Sequence, residues 1–171
     1  FRSARDPSYE EHINKYDVIG LDVQSFFLLD DDPQAFIKRL ETAVLEEVCA
    51  KWSDIDGLKG MGLVNALIKV HETTGAKFVF VIDEWDAVFR YYPKDESLQT
   101  EWIHFLRDLF KQANMDKCVA LVYMTGILPV KKYSTQSSLN QFREFSMIRP
   151  LVLERYIGFL PHEVDALCEK F

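Results

Sequence analysis

Cysteine is scarce in this chain: Cys49, Cys118 and Cys168 are odd in number and far apart, and no CxxC pair occurs. That excludes a disulfide framework, and the three read as small core residues in a reducing compartment, so a cytoplasmic location is expected. Long apolar runs are also missing. None approaches the roughly 18 to 20 residues that cross a bilayer, and no signal-peptide pattern opens the chain, so no membrane association is expected. Positive charge is in short supply, with 20 Lys and Arg against 27 Asp and Glu, a net charge of −7 and a pI near 5.1. Such a balance opposes broad attraction to phosphate, and direct nucleic-acid binding by this segment is not expected.

Several catalytic signatures are absent as well. His71-Glu72 runs into Thr73-Thr74-Gly75, and His162-Glu163 has Ala166 where a second His would stand, so neither is a zinc-protease helix. There is no G-x-S-x-G elbow, and no Cys has a His nearby in sequence, which leaves nucleophilic catalysis without a candidate. A phosphate-cradling G-x-x-x-x-G-K-[ST] loop is missing too. Gly57 and Gly62 have its spacing, but Leu63-Val64 occupy the Lys and Ser/Thr places and no buried strand precedes them. That segment reads as a loop leading into a helix.

What the chain does have is apolar content, 48% with thirteen Phe over 171 residues, ample for one domain with its own core. Tyr16 to Val23 predicts a first strand ending near Asp22. Asp32 then Pro33 predict a helix start, and Phe36, Leu40, Ala43, Val44 and Val48 recur at helical spacing as far as about Trp52. Leu63, Ala66, Leu67 and Val70 mark a second helix stopped by Gly75, and Leu98, Trp102, Phe105, Leu106 and Leu109 a third, from about Leu98 to Ala113. Between them, Phe78 to Ile82 and Cys118 to Met124 are continuous apolar runs, read as strands buried on both faces. Strands alternating with amphipathic helices predict a three-layer α/β fold with a parallel sheet. Further on, KKYSTQSSLNQFREF predicts a short helix, MIRPLVLE a Pro-interrupted strand, and a last helix starts at about Pro161.

The most informative segment is KFVFVIDEWD, residues 77–86, which ends a buried strand on Asp83 and Glu84, with Asp86 two residues on. Open α/β sheets bind ligands beyond the carboxyl ends of their strands. Nucleotide hydrolysis uses such a pair, a first carboxylate that holds Mg²⁺ through water and a second that orients or deprotonates the attacking water. Asp83 and Glu84 match those roles in order; equally, Asp83 could cap the turn and Glu84 be a solvated loop acid. Thr125 ends the next strand at the same level, where a hydroxyl can reach a γ-phosphate or its water; the plainer reading is a Thr-Gly turn. Lys131, Lys132, Arg143, Arg149 and Arg155 make residues 131–155 locally basic, either for phosphate contact or as a solvated face.

Three blocks, KFVFVIDEWDAVFR, YMTGILPVKKYSTQSSLNQFREFSM and YIGFLPHEVDALC, with YDVIGLDVQSF upstream, resemble the bacterial AAA-ATPase-like family. Its members look like P-loop ATPases of the archaeal and STAND type, often joined to a downstream PD-(D/E)xK nuclease-like domain. The resemblance implies a Walker B role for Asp83 as the Mg²⁺-associated carboxylate, Glu84 as the water-activating acid and a sensor-1-like role for Thr125, with ATP and Mg²⁺ as cofactors. It also implies an AAA-ATPase-like domain over residues 1–155, with 156–171 starting a helical lid or following domain. A nuclease-like domain or a protein would be its partner. The family's phosphate loop and first strand lie upstream of the YDVIGLDV strand, and the chain opens on Phe1 rather than Met, so an internal fragment missing both is expected. Three lost charge-assisted hydrogen bonds, at roughly 1.5 to 3 kcal/mol each, would weaken nucleotide binding by about 10³- to 10⁶-fold. The fragment alone is therefore expected to be inactive. Leu160 stands where the family pattern has a capping Thr, which puts the start of the last helix in question.

The resemblance further implies that the strands at 118–124, 78–82 and 17–21 lie adjacent and parallel in that order. Two other functional readings stand beside the ATPase. One is a catalytically silent protein-interaction module with a degenerate NTPase fold. The other is a phosphoacceptor receiver domain, disfavoured because the stretch from Asp83 to Thr125 is long and no acidic pair ends the first strand.

Overall fold

The computed structural model describes residues 3–27, 32–112, 114–130, 139, 141–146, 153, 156 and 159–171. Residues 14–140 form one compact unit and residues 1–13 with 141–171 a second.

The larger unit is built on a three-stranded sheet, β1 (Asp17–Asp22), β2 (Phe78–Asp83) and β3 (Val119–Met124), in the order β1-β2-β3. Both pairings are parallel, with Leu21 opposite Ile82 and Ile82 opposite Met124. Adjacency, direction and order are those expected. Parallel neighbours need crossover connections, and the intervening segments supply helices. α2 (Val23–Phe27) follows β1 at once, its first turn capped by Asp22, whose Oδ1 accepts from the Gln24 amide at 3.1 Å. A short 3₁₀ turn, Pro33–Ala35, capped by Asp32, leads into α3 (Phe36–Lys51), and α4 (Leu63–Thr74) runs back toward β2. Gly75 ends α4 at φ +75°, a left-handed C-cap that glycine adopts without steric cost.

After β2 come α5 (Ala87–Tyr91), α6 (Glu96–Lys111) and α7 (Met115–Cys118). The start of α6 is set by Asp95, whose carboxylate accepts from the Leu98 amide at 3.0 Å. Phe36, Leu40, Val44 and Val48 of α3, Leu63, Ala66, Leu67 and Val70 of α4, and Leu98, Trp102, Leu106 and Leu109 of α6 are buried, as the helical spacing requires. Their shared core is partly aromatic. Phe110 meets Phe80 edge-on at 5.1 Å, and Trp52 meets Phe78 at 5.7 Å.

The expectation of strands buried on both faces needs correction, and, for the described residues, the three-layer arrangement with it. Phe78, Phe80 and Ile82 are fully buried under the helices, but the residues that alternate with them face outward. Val18 is 66% exposed, Val81 37%, Leu121 55% and Tyr123 44%, and the strand register puts all four on one face. No helix among the described residues covers that face. An unbroken apolar run permits burial on two sides without requiring it, because side chains alternate across the sheet whatever packs there.

In the smaller unit, α1 (Tyr9–His12) and α8 (Pro161–Lys170) are helical. Leu160 has no oxygen to cap α8 with, yet its own amide donates to the Glu163 carboxylate at 2.8 Å, one half of a capping box. Cys168 on α8 is exposed, against the expectation of a core residue, whereas Cys49 and Cys118 are buried. The helix expected over 131–145 falls mostly outside the described residues, and its described end, 141–145, is not helical. The strand expected at 147–154 also lies outside them apart from residue 153. Among the described residues no helix is long and apolar enough to cross a membrane.

Candidate active site at the strand ends

β2 and β3 carry Asp83 and Thr125 to neighbouring positions at the carboxyl edge of the sheet. The Thr125 amide donates to the Ile82 carbonyl at 2.9 Å, which continues the ladder one step past β3. The Thr125 hydroxyl then donates to Oδ1 of Asp83, and the Glu84 amide donates to the same oxygen at 3.0 Å. Oδ1 is thereby filled, and Asp83, exposed at the strand end, keeps Oδ2 without a protein partner among the described residues. Asp83 and Thr125, 42 residues apart in sequence, are thus brought together as expected.

Glu84 sits at φ +53°, a left-handed backbone uncommon for a residue with a side chain. Such conformations persist where surrounding contacts impose them, and they cluster at functional sites. Here the chain turns out of β2, and the Ala87 amide donates back to the Glu84 carbonyl at 2.9 Å. The Glu84 carboxylate is half-buried and forms an ion pair with the guanidinium of Arg90 on α5. It is accordingly held by a cation rather than simply solvated.

Asp86 is the buried member of the acidic run, fully inaccessible to solvent. Its Oδ2 accepts from the amides of Ile127 at 3.2 Å and Leu128 at 3.0 Å, and lies 3.2 Å from Nε of Arg90, an ion-pair contact without hydrogen-bond alignment. Oδ1 has no hydrogen-bond partner among the described residues. Trp85 adds two bonds to the same loop, its amide to the Thr125 carbonyl at 3.1 Å and its indole to the Leu128 carbonyl at 3.3 Å. From the core side, the Trp102 indole donates to the Trp85 carbonyl at 2.9 Å. Gly126 completes the clamp. A Cβ there would lie 2.5 Å from Trp85 Cδ1 and 2.6 Å from Asp86 Oδ1, so only glycine lets the two loops approach this closely.

Sequence reasoning left Asp86 without a role and passed over Arg90 and Gly126. The spacing of Asp86 and Arg90, four residues apart, was an available signal for a helical ion pair. Gly126 gave no such signal, because its constraint comes from a partner forty residues away. Lys131, Lys132, Arg149 and Arg155 lie outside the described residues. Arg143 lies in the smaller unit, its guanidinium 5.3 Å from the Phe145 ring.

A group of three potential metal ligands does not occur among the described residues. Mg²⁺ does not need one: it keeps several waters and binds through one or two carboxylates together with substrate phosphates. One exposed carboxylate with a free oxygen beside a hydroxyl fits that requirement.

Compared with known proteins, residues 3–136 match the model of the AAA-ATPase-like family, described as a predicted AAA-ATPase. No curated protein and no solved structure matches the chain.

Proposed function

Starting from the premise that the chain belongs to the AAA-ATPase-like family, we propose that Asp83, Glu84 and Thr125 form the metal-and-water half of an ATP-hydrolysing site on a P-loop-type sheet. The observation that carries this is the strand-end arrangement itself. A hydroxyl just past the end of β3 fixes one oxygen of the carboxylate that ends β2 and leaves the other open at the edge where parallel sheets bind ligands.

Asp83 would hold Mg²⁺ through water in a Walker B role, and the ion, when bound, supplies charge neutralisation at the phosphate oxygens. Thr125 keeps Asp83 in one orientation and retains lone pairs on its hydroxyl for a water or phosphate neighbour. Glu84 is the base or water-orienting group. Its ion pair with Arg90 restrains where the carboxylate sits. The phosphate-binding half of the site would come from sequence outside these 171 residues, and an attached nuclease-like domain or protein partner would receive the conformational output.

The test is Mg²⁺-dependent ATP turnover by the full-length natural protein. Asp83→Ala is expected to raise the Mg²⁺ concentration needed for half-maximal turnover about tenfold or more, since one carboxylate contact is lost. An unchanged Mg²⁺ requirement would remove Asp83 from the metal site. A second reading, a silent protein-interaction module, is favoured by the exposed apolar face of Val18, Val81, Leu121 and Tyr123. Absence of turnover in the full-length protein, with partner binding lost on Leu121→Asp, would select it.

A further inference from the structure

Asp86 has one carboxylate and two tasks. Its Oδ2 holds the Ile127 and Leu128 amides, which fix the loop that begins at Thr125, and the same oxygen faces Arg90, whose guanidinium pairs with Glu84. The side chain is fully buried, and a buried carboxylate without compensation is disfavoured, so the loop amides and Arg90 are drawn to it together. Gly126 lies against its other oxygen with no room for a Cβ, which leaves the post-β3 loop little freedom to shift relative to Asp86. We propose that Asp86 is a positioning residue that sets Thr125 and, through Arg90, Glu84 at the same time, so that the two site groups share one anchor.

This rests on the ATPase reading of the site, but it has a consequence independent of catalysis. Asp86→Asn keeps an oxygen for the two amides and removes the charge that faces Arg90, whereas Asp86→Ala removes both. Two measurements on the full-length protein separate the arms: hydrogen exchange at the Ile127 and Leu128 amides, and kcat with KM for Mg²⁺-ATP. In Asp86→Ala, exchange at both amides is expected to speed up at least about tenfold, because they lose their acceptor. Its kcat should fall about 100-fold with KM within about threefold of wild type, the size expected when reacting groups are displaced by about 1 Å. In Asp86→Asn the amides stay protected, within about threefold of wild type, while kcat falls about tenfold through Glu84. Should Asp86→Ala fail to fold, Asp86→Asn and Arg90→Gln carry the test. Each should lower kcat by a similar factor, and the double variant no further. Unchanged exchange in Asp86→Ala, unchanged kcat in Asp86→Asn, or fully additive losses in the double variant would overturn the proposal. If the wild type turns over no ATP, the functional reading fails by itself, and exchange in the Ala and Asn variants still decides whether Asp86 anchors the loop.

Discussion

Removing the Arg90 guanidinium leaves a buried carboxylate with amide partners alone, and the cost follows from the geometry. Losing one partner of a buried ion pair costs roughly 3 to 5 kcal/mol where the remaining charge is uncompensated. Asp86 is fully buried, but two amides stay on Oδ2, each a charge-assisted bond of roughly 1.5 to 3 kcal/mol. Arg90 is 27% exposed, so water can take some of its place. Arg90→Met, which keeps the apolar stem and deletes the charge, is therefore expected to cost about 2 to 3 kcal/mol. In Asp86→Asn there is no net charge to strand, so adding Arg90→Met should cost about 1 kcal/mol or less. Urea unfolding measures both, as a shift in midpoint at constant slope. Arg90→Met within about 0.5 kcal/mol of wild type, the range of an ordinary surface substitution, would refute the view that Arg90 compensates Asp86.

Other consequences follow from the same contacts. Gly126→Ala forces a methyl to within 2.5 Å of Trp85 and should destabilise by about 1 to 3 kcal/mol, whereas Gly60→Ala, which meets nothing within 4 Å, should be within about 0.5 kcal/mol of wild type by urea unfolding. Cys168 is exposed, while Cys49 and Cys118 are buried and burial pushes the Cys118 thiol up. A thiol reagent at neutral pH should therefore modify Cys168 rapidly and the other two only on unfolding; fast labelling of Cys118 would contradict the packing of α7. Burial raises the Glu41 carboxyl, so its charged form is penalised in the folded protein. The stability that its protonated form permits is present at low pH and is lost as pH rises through the folded value. Glu41→Gln should accordingly raise the unfolding midpoint at pH 7, with the gain fading below about pH 4, where free Glu protonates; an equal gain at both pH values would exclude this cause.

The helices were legible because their buried positions repeat at helical spacing and their ends carry local signals. Asp32 with Pro33 and the left-handed Gly75 all act within a few residues of themselves. Strand positions and their order were legible too, the first from apolar runs and the second from the family resemblance. Burial was not. Val81 and Tyr123 are as apolar as their buried neighbours, and only the tertiary arrangement reveals that their face is uncovered. At the site, Asp83 and Thr125 could be named because each ends a strand. The Trp85–Asp86 clamp on residues 125–128 joins segments about forty residues apart, and no local pattern encodes such a contact. Arg90 lay between these cases, visible as a helical neighbour of Asp86 but not as the partner of Glu84.

The central claim, that Glu84 acts on water beside Asp83 and Thr125, is tested most directly by single-turnover ATP hydrolysis in the full-length protein, wild type against Glu84→Gln. The exchange keeps size and one acceptor oxygen and removes the base. A fall of about 100-fold or more in the hydrolysis rate is expected, with nucleotide affinity retained. Equal rates in the two proteins would contradict it.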